Sequence, residues 1–404
     1  MQNTRNSERE INNSLRQVNG EKQFGKPEII LPLSNDGHLD SVAIARLDEV
    51  KSQALQIQDI FDELLIEFLL VEHPEYKKEV NEFSKLYEKF KSEYIKGFSK
   101  EYVGAWVYYP NGTLIHLLSA TDHYRLRTSR NLGLITLEEQ NKLRDIHVAI
   151  GGLSVGGLCA TTLAMEGINS FYLTDFDQLA CSNLNRISSS LSMIGIEKTD
   201  IIAQKIWDID PFASVITNED GYNPNTEKLM FNTQRMPDIV IDAMDSMDAK
   251  IAIREACRNH RIPLVWMVDM GDGVIQIGTE RYDLNVEYPA FHGNLNKMEK
   301  FVGRPLNYVE CLFSIFNQDY LPYRMAESLF LACNNQWPGI SQLAGTVSIA
   351  AGAIAKVVRK ITLGEDIIPE FLIEVDEKAD PLYANKKAND RENTHRMMKK
   401  LGLR

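Results

Sequence analysis

The stretch HVAIGGLSVGGLCATTLAMEGINSFYLTDFD, residues 147–177, decides the fold. HVAIGG is a short apolar run ending in glycine, which reads as a buried strand. LCATTLAMEG is a small-residue helix, and FYLTDFD is a second strand. A strand, a glycine turn, a helix and a strand make one βαβ unit, and strand and helix keep alternating to about residue 280. That alternation predicts a parallel, doubly wound α/β sheet. The Ala/Gly-rich run 338–360 predicts a close-packing helix, and FLIEVDE, 371–377, a late strand. The stretch 284–335 reads as irregular and aromatic.

Upstream the pattern differs. Residues 1–36 are polar and predict a loose arm. One helix is expected from Leu47 to about Val71, broken by His73-Pro74, because proline disfavours a helical residue before it. Val80, Phe83, Tyr87, Phe90 and Tyr94 recur at three- and four-residue steps, one face of a second helix, and an aromatic stripe of this kind is core packing. VGAWVYYPNGTLIHLL, 103–118, has two β-rich runs around Pro110-Asn111-Gly112, a hairpin signal. Residues 137–145 read as a short polar helix. The expected organisation is an arm (1–36), a helical and hairpin α+β domain (37–120), the doubly wound domain (121–380) and a basic tail (381–404).

Composition narrows the function. Lys+Arg total 44 against 56 Asp+Glu, a net charge of −12, which argues against nucleic-acid and anionic-membrane partners. The five cysteines form no CxxC, so neither a disulfide framework nor a tetrathiolate zinc site is expected. Leu343 to Ala355, the longest apolar stretch, falls short of the ~20 residues of a membrane helix. The N-terminus has no apolar signal-peptide core, so the expected compartment is cytoplasmic and reducing.

The chemistry lies in three segments. The glycine turn 151–157 offers Gly152, Ser154 and Gly156 to a phosphate at a helix N-terminus. No P-loop lysine follows it. Asp175 and Asp177 end the second strand, where an acid commonly holds a ribose hydroxyl. Ser182, Asn183, Asn185 and Arg186 follow, with Lys198 twelve residues beyond Arg186. Such a cationic clamp suits a triphosphate and has no purpose in dinucleotide redox chemistry. In IVIDAMDSMDAK, 239–250, Asp242 and Asp245 fall at the C-terminal sheet edge, where a carboxylate can hold Mg²⁺ between phosphates.

This ordered set resembles the ThiF/MoeB/ubiquitin-activating superfamily of adenylating enzymes, with a Rossmann-like domain. The match covers about residues 122–378: the glycine turn, DFDQLACSNLNR at 175–186, Lys198, DAMDS at 242–246, and Arg127-Thr-Ser-Arg130 as the family's RxxR. The resemblance implies that Asp175 binds the ATP ribose and that Asn183, Arg186 and Lys198 hold phosphates. Asp245 would coordinate Mg²⁺ and assist adenylation, with Ser246 beside it. Arg130 would be an arginine finger acting across a homodimer. The implied reaction joins AMP to a carboxylate and releases pyrophosphate. Leu153 and Ser154 stand where the family has glycines, and its paired CxxC zinc ligands are missing, so no structural zinc is expected. Cys311 and Cys333 lie where some members carry a thioester cysteine, but each reads here as a buried small hydrophobe. The long N-terminal extension favours a peptide-modifying member, of the kind that acts on microcin- and pantocin-type precursors in ribosomal-peptide antibiotic biosynthesis. The hairpin could offer an edge for strand addition, and the basic tail suits an acidic peptide. The alternatives are an activator of a sulfur-carrier or ubiquitin-like protein C-terminus, and a non-catalytic pseudo-enzyme subunit.

Overall fold

The computed structural model describes residues 24–400 apart from 35, 80, 232–234, 295–319, 338, 376–391 and 394. The arm at 1–23, Cys311 and most of the basic tail therefore lie outside the described residues. The chain divides into two compact units. The first comprises Met1–Gln140, Met165–Gly167 and Ala203–Ala213; the second comprises Asn141–Ala164, Ile168–Ile202 and Ser214–Arg404.

The first unit holds a four-stranded sheet of order β1-β3-β4-β2, formed by β1 (Glu28–Ile30), β2 (Gln56–Asp59), β3 (Ala105–Tyr108) and β4 (Thr113–Leu117). β3 and β4 are the expected hairpin, with Tyr108 opposite Leu114. Gly112 takes φ +84° at its turn, a conformation glycine adopts without strain. The hairpin strands are the two central strands of this sheet, paired by β1 and β2. Neither hairpin edge is therefore open to an added strand, which corrects the sequence expectation.

The single helix expected over 47–71 is also corrected. It is three elements: α1 (Ser41–Gln53), β2, and α2 (Phe61–Glu72). Asp40 caps α1 through the N–H groups of Val42 and Ala43. β2 reads as helix by local pattern, and only its pairing with β4 makes it a strand. α3 (Phe83–Ile95) follows, and its Tyr87, Phe90 and Tyr94 pack on Phe61, Leu65 and Phe68 as the stripe predicted. His116 is fully buried, stacked between Trp106 at 4.2 Å and Phe61 at 4.7 Å, with ring nitrogens bonded to Asp59 and to the Val103 carbonyl. α4 (Ala120–Arg127) and α5 (Leu137–Asp145), the predicted polar helix, complete the N-terminal stretch.

The second unit is the doubly wound sheet. Its strands are β5 (Val148–Gly151), β6 (Ser170–Thr174), β7 (Ser214–Asn218), β8 (Ile239–Asp242), β9 (Leu264–Asp269), β10 (Val274–Glu280) and β11 (Glu370–Glu374). The order is β11-β10-β9-β8-β5-β6-β7. β5 to β9 run parallel, and β10 and β11 add antiparallel at one edge. The helices that begin in this unit are α6 (Gly156–Met165), α7 (Lys198–Ile209), α8 (Glu227–Phe231), α9 (Met247–His260), α10 (Tyr323–Cys333) and α11 (Ala344–Thr362), with Met165 and the part of α7 from Ala203 on counted in the first unit. α10 lies in a stretch read as irregular. Cys333, at its end, is exposed rather than the buried hydrophobe expected, whereas Cys159 and Cys257 are buried. Among the described residues no helix is long and apolar enough to cross a membrane.

Under the sheet, α9 carries an ionic network into the core. Asp242 is fully buried and accepts from Lys250 at 3.1 Å and Arg254 at 2.7 Å; Arg254 also donates to Glu280 at 3.0 Å. Glu280 in turn accepts from the Tyr282 hydroxyl at 2.6 Å and the Phe291 N–H at 3.0 Å. The Arg254 guanidinium lies 3.5 Å from the centre of the Phe291 ring. Burial raises the Asp242 pKa, but Lys250 and Arg254 outweigh it and hold the carboxyl below its usual range.

Candidate active site

The ends of β5, β6, β8 and β9 meet at the C-terminal edge of the second unit's sheet, the place where open α/β sheets bind ligands. The glycine turn leaves β5 there. Gly152 takes φ +83°, and a Cβ on it would run into the Ala243 carbonyl and lie 2.8 Å from the Met244 nitrogen. A Cβ on Gly156, the first residue of α6, would lie 2.8 Å from the Ile150 Cγ2. These two glycines let the turn and helix sit flat on the sheet. Leu153 and Ser154 have negative φ, so the turn accepts side chains where the family has glycines. Leu153 is buried, and its N–H donates to Asp175 Oδ2 at 2.6 Å.

Gly152→Val is therefore expected to cost about 1–3 kcal/mol, the scale of a non-glycine residue forced into such a conformation, and to weaken ATP binding. Urea denaturation and nucleotide titration check it. A variant as stable as the parent would show that the turn can move away from Ala243.

Asp175 buckles the turn to the loop after β6. Its Oδ1 accepts the Asp177 N–H at 2.8 Å, and Lys198 Nζ stands 3.9 Å away. Burial raises its pKa, with Lys198 and the two N–H groups opposing. Lys198, buried at the start of α7, donates to Asp177 at 2.9 Å. Arg186 Nε donates to Ser154 Oγ at 3.0 Å; its Nη1 donates to Asn185 Oδ1 at 2.9 Å and to the Ser182 carbonyl at 3.4 Å. Ser154 thus anchors the arginine rather than leaving space for backbone. Asn183 Oδ1 accepts the Ala180 N–H at 3.0 Å, and Asn185 Nδ2 donates to the Gln342 carbonyl at 2.8 Å, just before α11. The run SNLNR is a scaffold that aims one side chain, Arg186, at the glycine turn.

At the end of β8, Asp242 belongs to the core network described above, so it is not available to a metal. Asp245 is exposed, and no hydrogen bond or ion pair to a described residue holds its carboxylate. Crowding by protein raises its pKa; Lys250, Lys198 and Arg186 oppose and Asp177 adds. Ser246 Oγ accepts the Ala249 N–H at 3.4 Å and caps α9, so its hydroxyl serves the helix. Sequence reading missed Asp269 at the end of β9, although an acid ending a strand was the signal that found Asp175. Burial pushes it up to about 6, with the Gly271 N–H and Arg186 opposing. Arg130, by contrast, belongs to the first unit, exposed on a 3-10 turn, Ser129–Asn131.

Glycine turn, strand-end acid, cationic loop and unpaired carboxylate at one edge of a doubly wound sheet define a mononucleotide-binding domain of the adenylating type. The chain belongs to the ThiF family, whose model matches residues 128–391. It is 33% identical over 267 residues to the uncharacterized protein MT1398 of Mycobacterium tuberculosis (strain CDC 1551 / Oshkosh), covering 65% of this chain and 36% of that protein. It is 34% identical over 139 residues to tRNA threonylcarbamoyladenosine dehydratase of Bacillus subtilis (strain 168), covering 34% of this chain and 54% of that one. The matches thus span about half or less of these relatives. The crystal structure of E. coli MccB with ATP aligns with a TM-score of 0.43 at 19% identity, covering 63% of this chain and 69% of that chain.

Proposed function

We propose that the second unit binds ATP and transfers its AMP moiety to a substrate carboxylate. The observation that carries this reading is the Arg186 guanidinium, held against the glycine turn by Ser154, with the unpaired Asp245 carboxylate beside it. A carboxylate oxygen attacks the α-phosphorus, the bond to the bridging oxygen breaks, and pyrophosphate leaves. Arg186 and Lys198 neutralise the charge that builds on the leaving group; Lys198 must first exchange Asp177 for phosphate. The N–H groups at the start of α6 would face the same charge, whereas those of Gly152 and Leu153 are taken by the Thr174 carbonyl and by Asp175. Asp245 would hold Mg²⁺, which keeps several waters and takes one or two carboxylates along with phosphate oxygens. Bound there, the ion would screen the phosphates from the attacking carboxylate.

The substrate in this reading is a peptide. The first unit, with its own sheet and core, gives such a substrate a platform beyond the adenylating domain. The relative from Bacillus subtilis is named for a tRNA substrate, but a net charge of −12 opposes a polyanion. Incubating the protein with ATP, Mg²⁺ and separate peptide and tRNA pools decides between them. AMP and pyrophosphate appearing only with peptide support the reading, and appearing only with tRNA replace it. ADP with a phosphorylated product would overturn adenylation itself. A thioester on Cys333, formed with a small protein ending in Gly-Gly, would favour the ubiquitin-like alternative.

In the proposed homodimer, Arg130 reaches the partner's nucleotide. Arg130→Ala and Lys198→Ala proteins, each inactive alone, are then expected to regain about a quarter of wild-type activity when mixed as equal, freely exchanging subunits. That fraction follows because half the dimers are mixed and half of their sites are intact. No recovery would confine Arg130 to its own subunit or remove it from the reaction.

A further inference from the structure

Asp269 ends β9 and stands at the same sheet edge as Asp245. Its Oδ1 accepts the Gly271 N–H at 2.8 Å, which fixes the carboxyl within the turn leading to β10. Its Oδ2 is buried and has no hydrogen-bond partner among the described residues. A buried acceptor without a donor is costly as an anion. The opposing charge is that of Arg186, which acts on Asp269 and Asp245 together without a direct ion pair to either. Arg186 is also the group that a triphosphate needs.

We propose that Asp269 is a positioning residue of the nucleotide site, sharing with Asp245 the counter-charge of Arg186 before nucleotide binds, and that ATP binding is coupled to uptake of a proton by the Asp269 carboxyl. The proposal rests on the nucleotide reading above. Phosphate charge arriving at Arg186 removes what stabilises the Asp269 anion and adds repulsion, so the carboxyl takes a proton onto Oδ2. By reciprocity, protonation of Asp269 strengthens ATP binding. The groups facing this pair are Arg186 from the loop after β6, Asp245 from the loop after β8 and the Gly271 N–H from its own turn. Asp177 and Lys198 act on it through Asp245. On the α11 side, the Thr346 hydroxyl is occupied by the Gly273 N–H at 3.0 Å. The group is poised for this role, because burial already lifts its pKa to about 6.

The sign is fixed by that starting value. Below about pH 6 the carboxyl is already protonated and ATP meets no competitor; above it, binding must carry a proton in. If ATP raises the Asp269 pKa by one unit, wild-type affinity falls by about fourfold between pH 6 and 7.5, out of about tenfold over the whole titration. The test is calorimetric titration of ATP with Mg²⁺ from pH 5.5 to 8, in two buffers of different ionisation enthalpy, on wild type and Asp269→Asn. Asparagine keeps the acceptor for Gly271 and removes the charge. The expected result is that the variant binds about tenfold tighter at pH 7.5, with the extra pH dependence and the proton uptake gone. Because ATP titrates alike in both proteins, its own protonation cancels. Superimposed profiles and equal uptake would overturn the proposal and leave the nucleotide reading standing, whereas a wild-type chain that binds no ATP at any pH would remove both. Infrared detection of a protonated carboxyl that returns when ATP is added at pH 7 tests the coupling on the wild-type chain alone. Absence of that band would overturn it even if the variant failed to fold.

Discussion

Asp245→Ala is expected to lower AMP formation by about 10²–10³-fold, the usual effect of deleting one group that stabilises transition-state charge. Its melting temperature should stay close to that of the parent. The side chain is exposed and holds no described partner, so its removal leaves no unpaired donor in the core. The two readings separate the catalytic role from a structural one: a loss of activity with an unchanged unfolding curve assigns Asp245 to the reaction. AMP formation at the parental rate would remove it, and with it the candidate position for Mg²⁺. Asp245→Asn sharpens the result, since it keeps the shape and removes the charge.

Asp242, three residues earlier, is expected to behave in the opposite way. Asp242→Ala should destabilise the protein by about 3–5 kcal/mol, because it strands Lys250 and Arg254 as buried cations. Both side chains are almost completely buried, and Arg254 would keep only Glu280 as a counter-charge. Urea denaturation measures the loss. A cost below about 1 kcal/mol would mean that water enters the network, which its burial argues against. The pair of variants tests a division that the motif alone hides: in DAMD the first acid supports the floor of the site and the second is left for the ligand.

Much of the adenylating domain was legible along the chain. The inner parallel strands β5, β6, β8 and β9 are short apolar runs, because both of their faces are covered, and each ends at the candidate site; β7, at the edge, alternates in exposure. The glycine turn, Asp175, Arg186 and Asp245 are therefore found in order from local pattern. β2 was not legible, since QIQD has no apolar face and becomes a strand by pairing with β4. The same limit hid the closure of the hairpin edges, which depends on strands distant in the chain.

What the chain determined by itself is the order of elements, the residue types at the strand ends and hence the class of chemistry. What tertiary structure decided is which of those residues are free to act. Asp242 and Asp245 are alike in sequence, yet one is neutralised by cations on α9 and the other is left open. Lys198 and Arg186 are both cations of the proposed clamp, yet Asp177 already holds the first and Ser154 aims the second. Asp269 joins them only because β9 lies beside β8. The physical reason is that charge state and availability depend on burial and on partners brought in from other elements. Local pattern fixes neither of these; only packing does.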